Sequence, residues 1–212
     1  MLVIVGGHSR NIGKTSVVEG VIRALPNANW TAVKITQYGH NVCSTDGAAC
    51  GCSSGNDHPY SLSEEQHPGP SDSGRYLAAG AKRSFWLRTA KNELGHGIPA
   101  LREIIAASEN VILESNSAMQ FFSPDLYLVV LDPAVADMKE STRRYFDRAH
   151  AFVITDRGDA ALPWDGIPMR WLEGKPHFAA RPPVYVSSEM CAWLLAWMGN
   201  RMEMTTRSAS LI

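Results

Sequence analysis

The nine residues Gly7-His8-Ser9-Arg10-Asn11-Ile12-Gly13-Lys14-Thr15 constrain the fold most, because they separate two segments of contrasting pattern. Before them, Leu2 to Val5 is a short run of β-forming residues. After them, Lys14 to Leu25 has the pattern of a helix that stops at Pro26. A strand, a glycine-bounded loop and a helix are therefore predicted in succession.

The rest of the chain continues this alternation of apolar runs and helical segments. Because continuous apolar strands separated by helices are typical of parallel sheets covered on both sides, we expect an α/β fold. Its predicted form is a mainly parallel sheet with helices on both faces, a three-layer α/β/α arrangement. The predicted strands after the first are 30–35, 84–88, 111–113, 126–131, 151–154 and, less regularly, 184–186.

We predict one domain over residues 1–200, since a chain of 212 residues can bury a core of its own. Residues 36–71 contain no Lys or Arg and are rich in Gly, Pro and Ser, so they are predicted to form a long inserted loop. A helix is expected over 189–198, and residues 201–212 are expected to form a frayed tail.

Charge and hydropathy exclude several function classes. The 20 Lys and Arg residues nearly balance the 21 Asp and Glu residues, which gives no global attraction to nucleic acid or to a membrane surface. The longest apolar runs, such as 191–198, are shorter than the roughly 20 residues that span a bilayer. With no basic leader in the sequence, we expect a cytoplasmic protein with reduced cysteines.

The loop has the composition of a phosphate-binding loop with one residue more than the usual spacing. In such loops the backbone N–H groups and the helix N-terminus surround phosphate groups. Lys14 would reach the β- and γ-phosphates, and the Thr15 hydroxyl would ligate Mg²⁺. The residues predicted to bind the nucleotide here are Gly7, Asn11, Ile12, Gly13, Lys14, Thr15 and Ser16.

Polar residues at the carboxyl ends of other strands should meet the loop at the same sheet edge. Lys34 ends the second strand, and Glu114 follows the buried strand 111–113. Glu114 is the predicted acid that holds Mg²⁺ or orients the attacking water, so Lys14 and Glu114 are the candidate catalytic residues. Asp156 could accept hydrogen bonds from a guanine base, but its surroundings depart from the usual guanine-reading stretch. The choice between GTP and ATP stays open.

Soft metal ligands are concentrated in the predicted insert. Cys43, Cys50, Cys52 and His58 are sufficient for a tetrahedral zinc site, although their spacing matches no standard zinc finger. The sequence is compatible both with a bound Zn²⁺ and with a loop that carries free thiols.

Three further stretches give the chain a resemblance to known P-loop proteins. Val33-Lys34-Ile35-Thr36 with His40, Asp72-Ser73-Gly74-Arg75 through Ala79-Gly80-Ala81, and Val111 to Glu114 resemble motifs of the molybdopterin-guanine dinucleotide biosynthesis adaptor, MobB. The loop spacing is similar to that of dethiobiotin synthetase. The resemblance implies a P-loop NTPase fold and a nucleotide site that includes Lys34 and Asp72.

The resemblance to MobB implies slow Mg²⁺-dependent hydrolysis of GTP or ATP and a partner enzyme in molybdenum-cofactor or metal-centre maturation. An alternative is an ATP-dependent ligase or kinase similar to dethiobiotin synthetase. A second alternative is a metal carrier with nucleotide as its switch. A homodimer is the expected assembly, and Trp193, Leu194 and Trp197 share a helical face suited to core or dimer packing.

Overall fold

The computed structural model describes residues 1–39, 59–156 and 169–209, with side chains described up to residue 199. The strands are β1 (Leu2–Gly7), β2 (Trp30–Tyr38), β3 (Tyr60–Glu64), β4 (Arg83–Ala90), β5 (Asn110–Glu114), β6 (Leu126–Leu131), β7 (Ala151–Thr155) and β8 (His177–Ala180). The helices are α1 (Lys14–Ala24), α2 (Asp72–Ala78), α3 (Ile98–Ala106), α4 (Glu140–Tyr145) and α5 (Ser188–Ala209).

The strands form one sheet in the order β3-β4-β2-β5-β1-β6-β7-β8. All pairs are parallel except β3 with β4, so the predicted mainly parallel sheet is confirmed. β1 lies between β5 and β6, and the chain leaves it toward β2 on one side and later returns to β6 on the other. The loop after β1 therefore lies at the point where ligands bind in open α/β sheets.

Alternate residues of each central strand face opposite layers of helices. Val3 and Val5 pack with α1, α2 and α5, whereas Ile4 between them packs with α3 and the turn after α4. Both clusters are fully buried at their centres, with Val18 on one side and Leu101 on the other at 0% exposure. The predicted three-layer arrangement is thus confirmed.

The predicted loop 36–71 is wrong at its start and at residues 60–64, whereas residues 65–71 form neither helix nor strand. β2 continues to Tyr38 because β4 runs beside it in register as far as Ala90. Residues 60–64 form the edge strand β3, antiparallel to β4. Backbone pairing with β4 stabilises this strand, and its own sequence pattern is weak.

Two predictions near the C-terminal part of the described chain are also wrong. Residues 184–186 are not a strand; β8 lies earlier, with Phe178 and Ala180 buried against β7. Arg181 and Val184 exchange backbone hydrogen bonds with each other across Pro182 and Pro183, so the chain turns here and does not continue as a strand of the sheet. Residues 201–209, expected to be a frayed tail, continue helix α5. Within the described ranges, no helix combines the length and apolar character needed to cross a membrane.

Truncating the buried face of α3 should measure how strongly the second helical layer contributes to folding. We expect Leu101→Ala to lower the free energy of unfolding by about 2–5 kcal/mol, because it leaves a cavity under the sheet. Arg102→Ala, at an exposed position of the same helix, should change it by less than about 0.5 kcal/mol. Urea titration measures the free energy of unfolding of both variants. Equal losses in the two variants would contradict the role of Leu101 in the buried core between α3 and the sheet.

Candidate functional site

The backbone of Gly7 anchors the loop after β1 to two neighbouring segments. The Asn116 amide accepts a hydrogen bond from the Gly7 N–H at 2.8 Å and donates one to the Gly7 carbonyl at 2.7 Å. The Thr142 hydroxyl donates to the same carbonyl at 2.9 Å and accepts from Asn116 at 2.8 Å. The first residue of the loop is therefore fixed by buried side chains.

The loop then takes two left-handed backbone conformations before α1 begins. Asn11 has φ 56° and Gly13 has φ 91°. A Cβ on Gly13 would lie 2.2 Å from the ring of Tyr185, so glycine is required both by conformation and by space. No side chain caps α1, which leaves the N–H groups of its first turn available to an anion.

The carboxylate of Glu114 connects three elements at the mouth of the loop. It is 3% exposed, and it accepts hydrogen bonds from the Thr15 hydroxyl at 2.8 Å and from the Lys34 ammonium at 2.6 Å. The buried Tyr76 hydroxyl of α2 also donates to it. Burial, and then the charge of Glu114, raise the pKa of Tyr76 well above its usual value, so this hydroxyl keeps its proton and remains a donor.

Lys34 is held between two carboxylates. Its ammonium lies 2.6 Å from Glu114 and 2.6 Å from Asp72, the first residue of α2. Burial opposes its charge, but Glu114 and Asp72 outweigh burial and raise the pKa of Lys34. A cation is thus favoured at this position.

The same oxygen atoms suit Mg²⁺. Thr15, Glu114 and Asp72 supply a hydroxyl and two carboxylates, and Mg²⁺ is usually bound by one or two carboxylates together with substrate phosphates. Because the Thr15 hydroxyl donates a hydrogen bond to Glu114, the lone pairs of its oxygen can face a cation.

Lys14 lies in the loop with its ammonium 2.6 Å from the Ser9 carbonyl. Burial lowers its pKa to about 8, with Glu114 opposing this shift and Lys139 and Lys34 adding to it. The nearby carboxylates therefore compensate the charge of Lys14 only in part.

A cavity of about 1060 Å³ lies over the loop. Nine residues predicted from the sequence line it: Asn11, Ile12, Gly13, Lys14, Thr15, Ser16, Lys34, Asp72 and Glu114. Gly7 lies behind the lining at the end of β1. The lining also contains residues that the sequence did not single out, namely Arg75, Lys91, Asn92, Asn116, Gln120, Lys139, Arg144 and Tyr185. Asn116 had a weak signal, as a polar residue beyond a buried strand, but Lys139 lies far from any motif.

Helix α2 is attached to the loop side of the site by Arg75. Its guanidinium contacts both carboxylate oxygens of Glu19 on α1, at 3.1 and 2.8 Å, and donates to the Ser16 hydroxyl at 3.2 Å. Ser71 caps α2 by accepting from Gly74 at 3.0 Å. The helix that carries Asp72 and Tyr76 is thereby fixed relative to α1.

Two groups of predicted site residues are not brought to this cavity. Asp156 follows β7 but is not among the lining residues, and it forms an ion pair with Arg181 at 2.7 Å. The proposed zinc ligands Cys43, Cys50, Cys52 and His58 lie outside the described residues. Within the described ranges, no group of three or more His, Cys, Asp or Glu residues could hold a metal ion.

Comparisons with known proteins give a structural likeness but no match in sequence. No family model matches the sequence, and no curated protein matches it. The chain is similar to LpxK from Aquifex aeolicus, solved in complex with ATP, at 17% identity and a TM-score of 0.46 over 84% of this chain. It covers 53% of that chain, so it spans about half the length of LpxK.

The buried histidine of the loop should make stability depend on pH. His8 is 0% exposed, its Nε2 donates to the Val135 carbonyl at 3.0 Å, and burial lowers its pKa from 6.5. The unfolded chain therefore binds a proton that the folded chain does not, so stability falls as pH drops below about 6.5.

We expect His8→Gln, which can keep the Nε2 contact, to reduce the loss of Tm between pH 7.5 and pH 5.5. His177→Gln is the matched control, because burial also lowers the pKa of His177 but its side chain is exposed. A pH dependence in His8→Gln equal to that of the wild type would contradict the assignment.

Proposed function

We propose that this protein binds the Mg²⁺ complex of ATP or GTP and slowly hydrolyses its γ-phosphate. The observation that carries the proposal is that Thr15 and Lys34 both contact the buried Glu114 carboxylate, while Asp72 pairs with the same Lys34 ammonium. This cluster lies beside the uncapped N-terminus of α1. This combination offers backbone donors for phosphates, a cation for the γ-phosphate and oxygen ligands for a divalent metal.

Each residue then has a distinct role in hydrolysis. Lys14 contacts the β- and γ-phosphates, and Glu114 orients the attacking water or a water bound to the metal. Mg²⁺, when bound, neutralises phosphate charge. The water oxygen bonds to the γ-phosphorus, and the bond to the β–γ bridging oxygen breaks with its electron pair on the diphosphate. One proton of the water stays on the inorganic phosphate, and the other is released to solvent.

We further propose a role of the MobB type, in which a partner enzyme of molybdenum-cofactor or metal-centre maturation uses the bound nucleotide. The resemblance in α2 supports this, because its motif residues Asp72 and Arg75 connect Lys34, Glu19 and Ser16. A homodimer and a cytoplasmic location belong to the same proposal. Trp193 and Trp197 are half-buried and pack against the core, which supports core packing for this helical face.

A second candidate function is phosphorylation of a small acceptor, as in dethiobiotin synthetase. The observation that favours it is the extent of the cavity, which continues past the loop to Gln37, Lys91 and Asn92. Such an enzyme should release almost no ADP without its acceptor, whereas a hydrolase should show a steady basal rate. Measuring ADP release with and without candidate small carboxylates separates the two functions.

Removing the loop lysine should weaken nucleotide binding strongly. At a ligand concentration of 100 times Kd, binding stabilises the protein by about 2.7 kcal/mol, or roughly 5–11 °C in Tm. We expect this shift with Mg-ATP or Mg-GTP, and we expect Lys14→Ala to weaken binding by roughly 10- to 150-fold because a charge-assisted contact is lost. Lys82→Ala, an exposed lysine outside the cavity, is the control. An unchanged shift in Lys14→Ala would refute the site.

The metal-binding role of Glu114 can be separated from phosphate binding. Glu114→Gln keeps the shape of the side chain but loses its charge, so turnover should fall by at least about 100-fold. Binding of ATP in EDTA should stay within about threefold, while the gain in affinity on adding Mg²⁺ should disappear. Glu103→Gln, exposed on α3, should behave as wild type in isothermal titration calorimetry. A full Mg²⁺ gain in Glu114→Gln would remove Glu114 from the metal site.

A further inference from the structure

The segment between β6 and α4, residues 132–139, is attached to the phosphate loop along its length. The attachment begins with a turn in which the Asp132 carboxylate accepts from the Ala134 N–H at 3.0 Å. The contacts to the loop are His8 Nε2 to the Val135 carbonyl at 3.0 Å, the Ser9 hydroxyl to Asp137 at 2.8 Å, and the Lys139 N–H to the His8 carbonyl at 2.9 Å. The backbone of Lys139 is therefore fixed relative to the loop.

The side chain of Lys139 lines the cavity together with Arg10, Lys14 and Lys34. In the part of the chain that the structure describes, no carboxylate pairs with Lys139 or Arg10, whereas Lys34 has two. Burial, followed by the charge of Arg10, lowers the pKa of Lys139, with Asp137 opposing the shift. Lys139, which has no ion pair among the described residues, is thus close enough to Lys34 and Glu114 to interact with their charges, and Arg10 lines the same cavity.

We propose that Lys139 is a catalytic residue that contacts the γ-phosphate, with Arg10 beside it, and supplies positive charge from within the same chain during phosphoryl transfer. This inference rests on the proposed nucleotide site. In P-loop enzymes the transferring group spreads negative charge over its equatorial oxygens, and a cation supplied there accelerates the step strongly. The fixed backbone of Lys139 allows it to act without a large rearrangement.

A γ-phosphate contact predicts a specific pattern of losses. ADP lacks the group that Lys139 contacts, so its affinity should not depend on this side chain. A non-hydrolysable imido analogue of ATP keeps the group, and its affinity should fall when Lys139 is shortened. A merely structural role of Lys139 would weaken both ligands alike, because both use the same loop.

The experiment compares wild type with Lys139→Ala, Lys139→Met and Lys139→Arg, using Mg-ADP, the Mg-imido analogue and single-turnover hydrolysis of Mg-ATP. For Lys139→Ala and Lys139→Met we expect turnover roughly 10- to 100-fold slower, analogue affinity at least about threefold weaker, and ADP affinity within about twofold. Lys139→Arg should retain more turnover than either. Lys82→Ala is the control, and Tm values identify any variant that fails to fold.

The outcomes distinguish failure of the proposed nucleotide site from failure of the proposed contact between Lys139 and the γ-phosphate. If wild type binds neither nucleotide, the proposed function fails. If wild type binds both, and the Lys139 variants lose ADP and analogue affinity equally or lose neither affinity nor turnover, the γ-phosphate contact alone is overturned. If wild type binds without measurable turnover, the contrast between ADP and the analogue still decides.

Discussion

The buried carboxylate of Glu114 is the interaction on which the rest of the site depends. A carboxylate at 3% exposure is costly unless charge and hydrogen bonds compensate it, and here Lys34, Thr15 and Tyr76 all do so. These partners come from β2, α1 and α2. Parallel pairing of β2 with β5 sets Lys34 directly beside Glu114 in register, so sheet topology alone places the central ion pair. The two helices are then positioned around it.

Lysines at this sheet edge differ in how well their charges are compensated. The pKa of Lys34 is raised, because Asp72 and Glu114 outweigh its burial. The pKa values of Lys14 and Lys139 are lowered, because burial dominates and neighbouring cations add to its effect. The charge of Lys34 is therefore compensated by its two carboxylates, whereas the charges of Lys14 and Lys139 leave an excess of positive charge near the loop. A polyanion such as a triphosphate would supply the missing negative charge.

Local signals in the sequence were sufficient for the loop and for the acid at the end of β5, but not for features that depend on distant pairing, including the end of β2. Glycine spacing and the flanking patterns predicted the position of Lys14 and Thr15, and an acid after an apolar strand predicted Glu114. β3 was missed because β4 stabilises it by pairing, and β8 was missed because only a few of its residues are buried. Lys139 could not be found by pattern, since its place in the cavity depends on hydrogen bonds to a loop about 130 residues earlier.

The loop after β1 is held from several sides by side chains of other segments. Asn116 and Thr142 fix Gly7, residues 132–139 hold His8 and Ser9, and Arg75 reaches Ser16. Because folding has already ordered this backbone, a nucleotide would bind without a large further loss of conformational entropy. In the proposed nucleotide complex, contacts common to diphosphate and triphosphate would thus be preformed. Discrimination between the two would then come from side chains at the proposed γ-phosphate end, where Lys34 is paired with carboxylates and Lys139 is not.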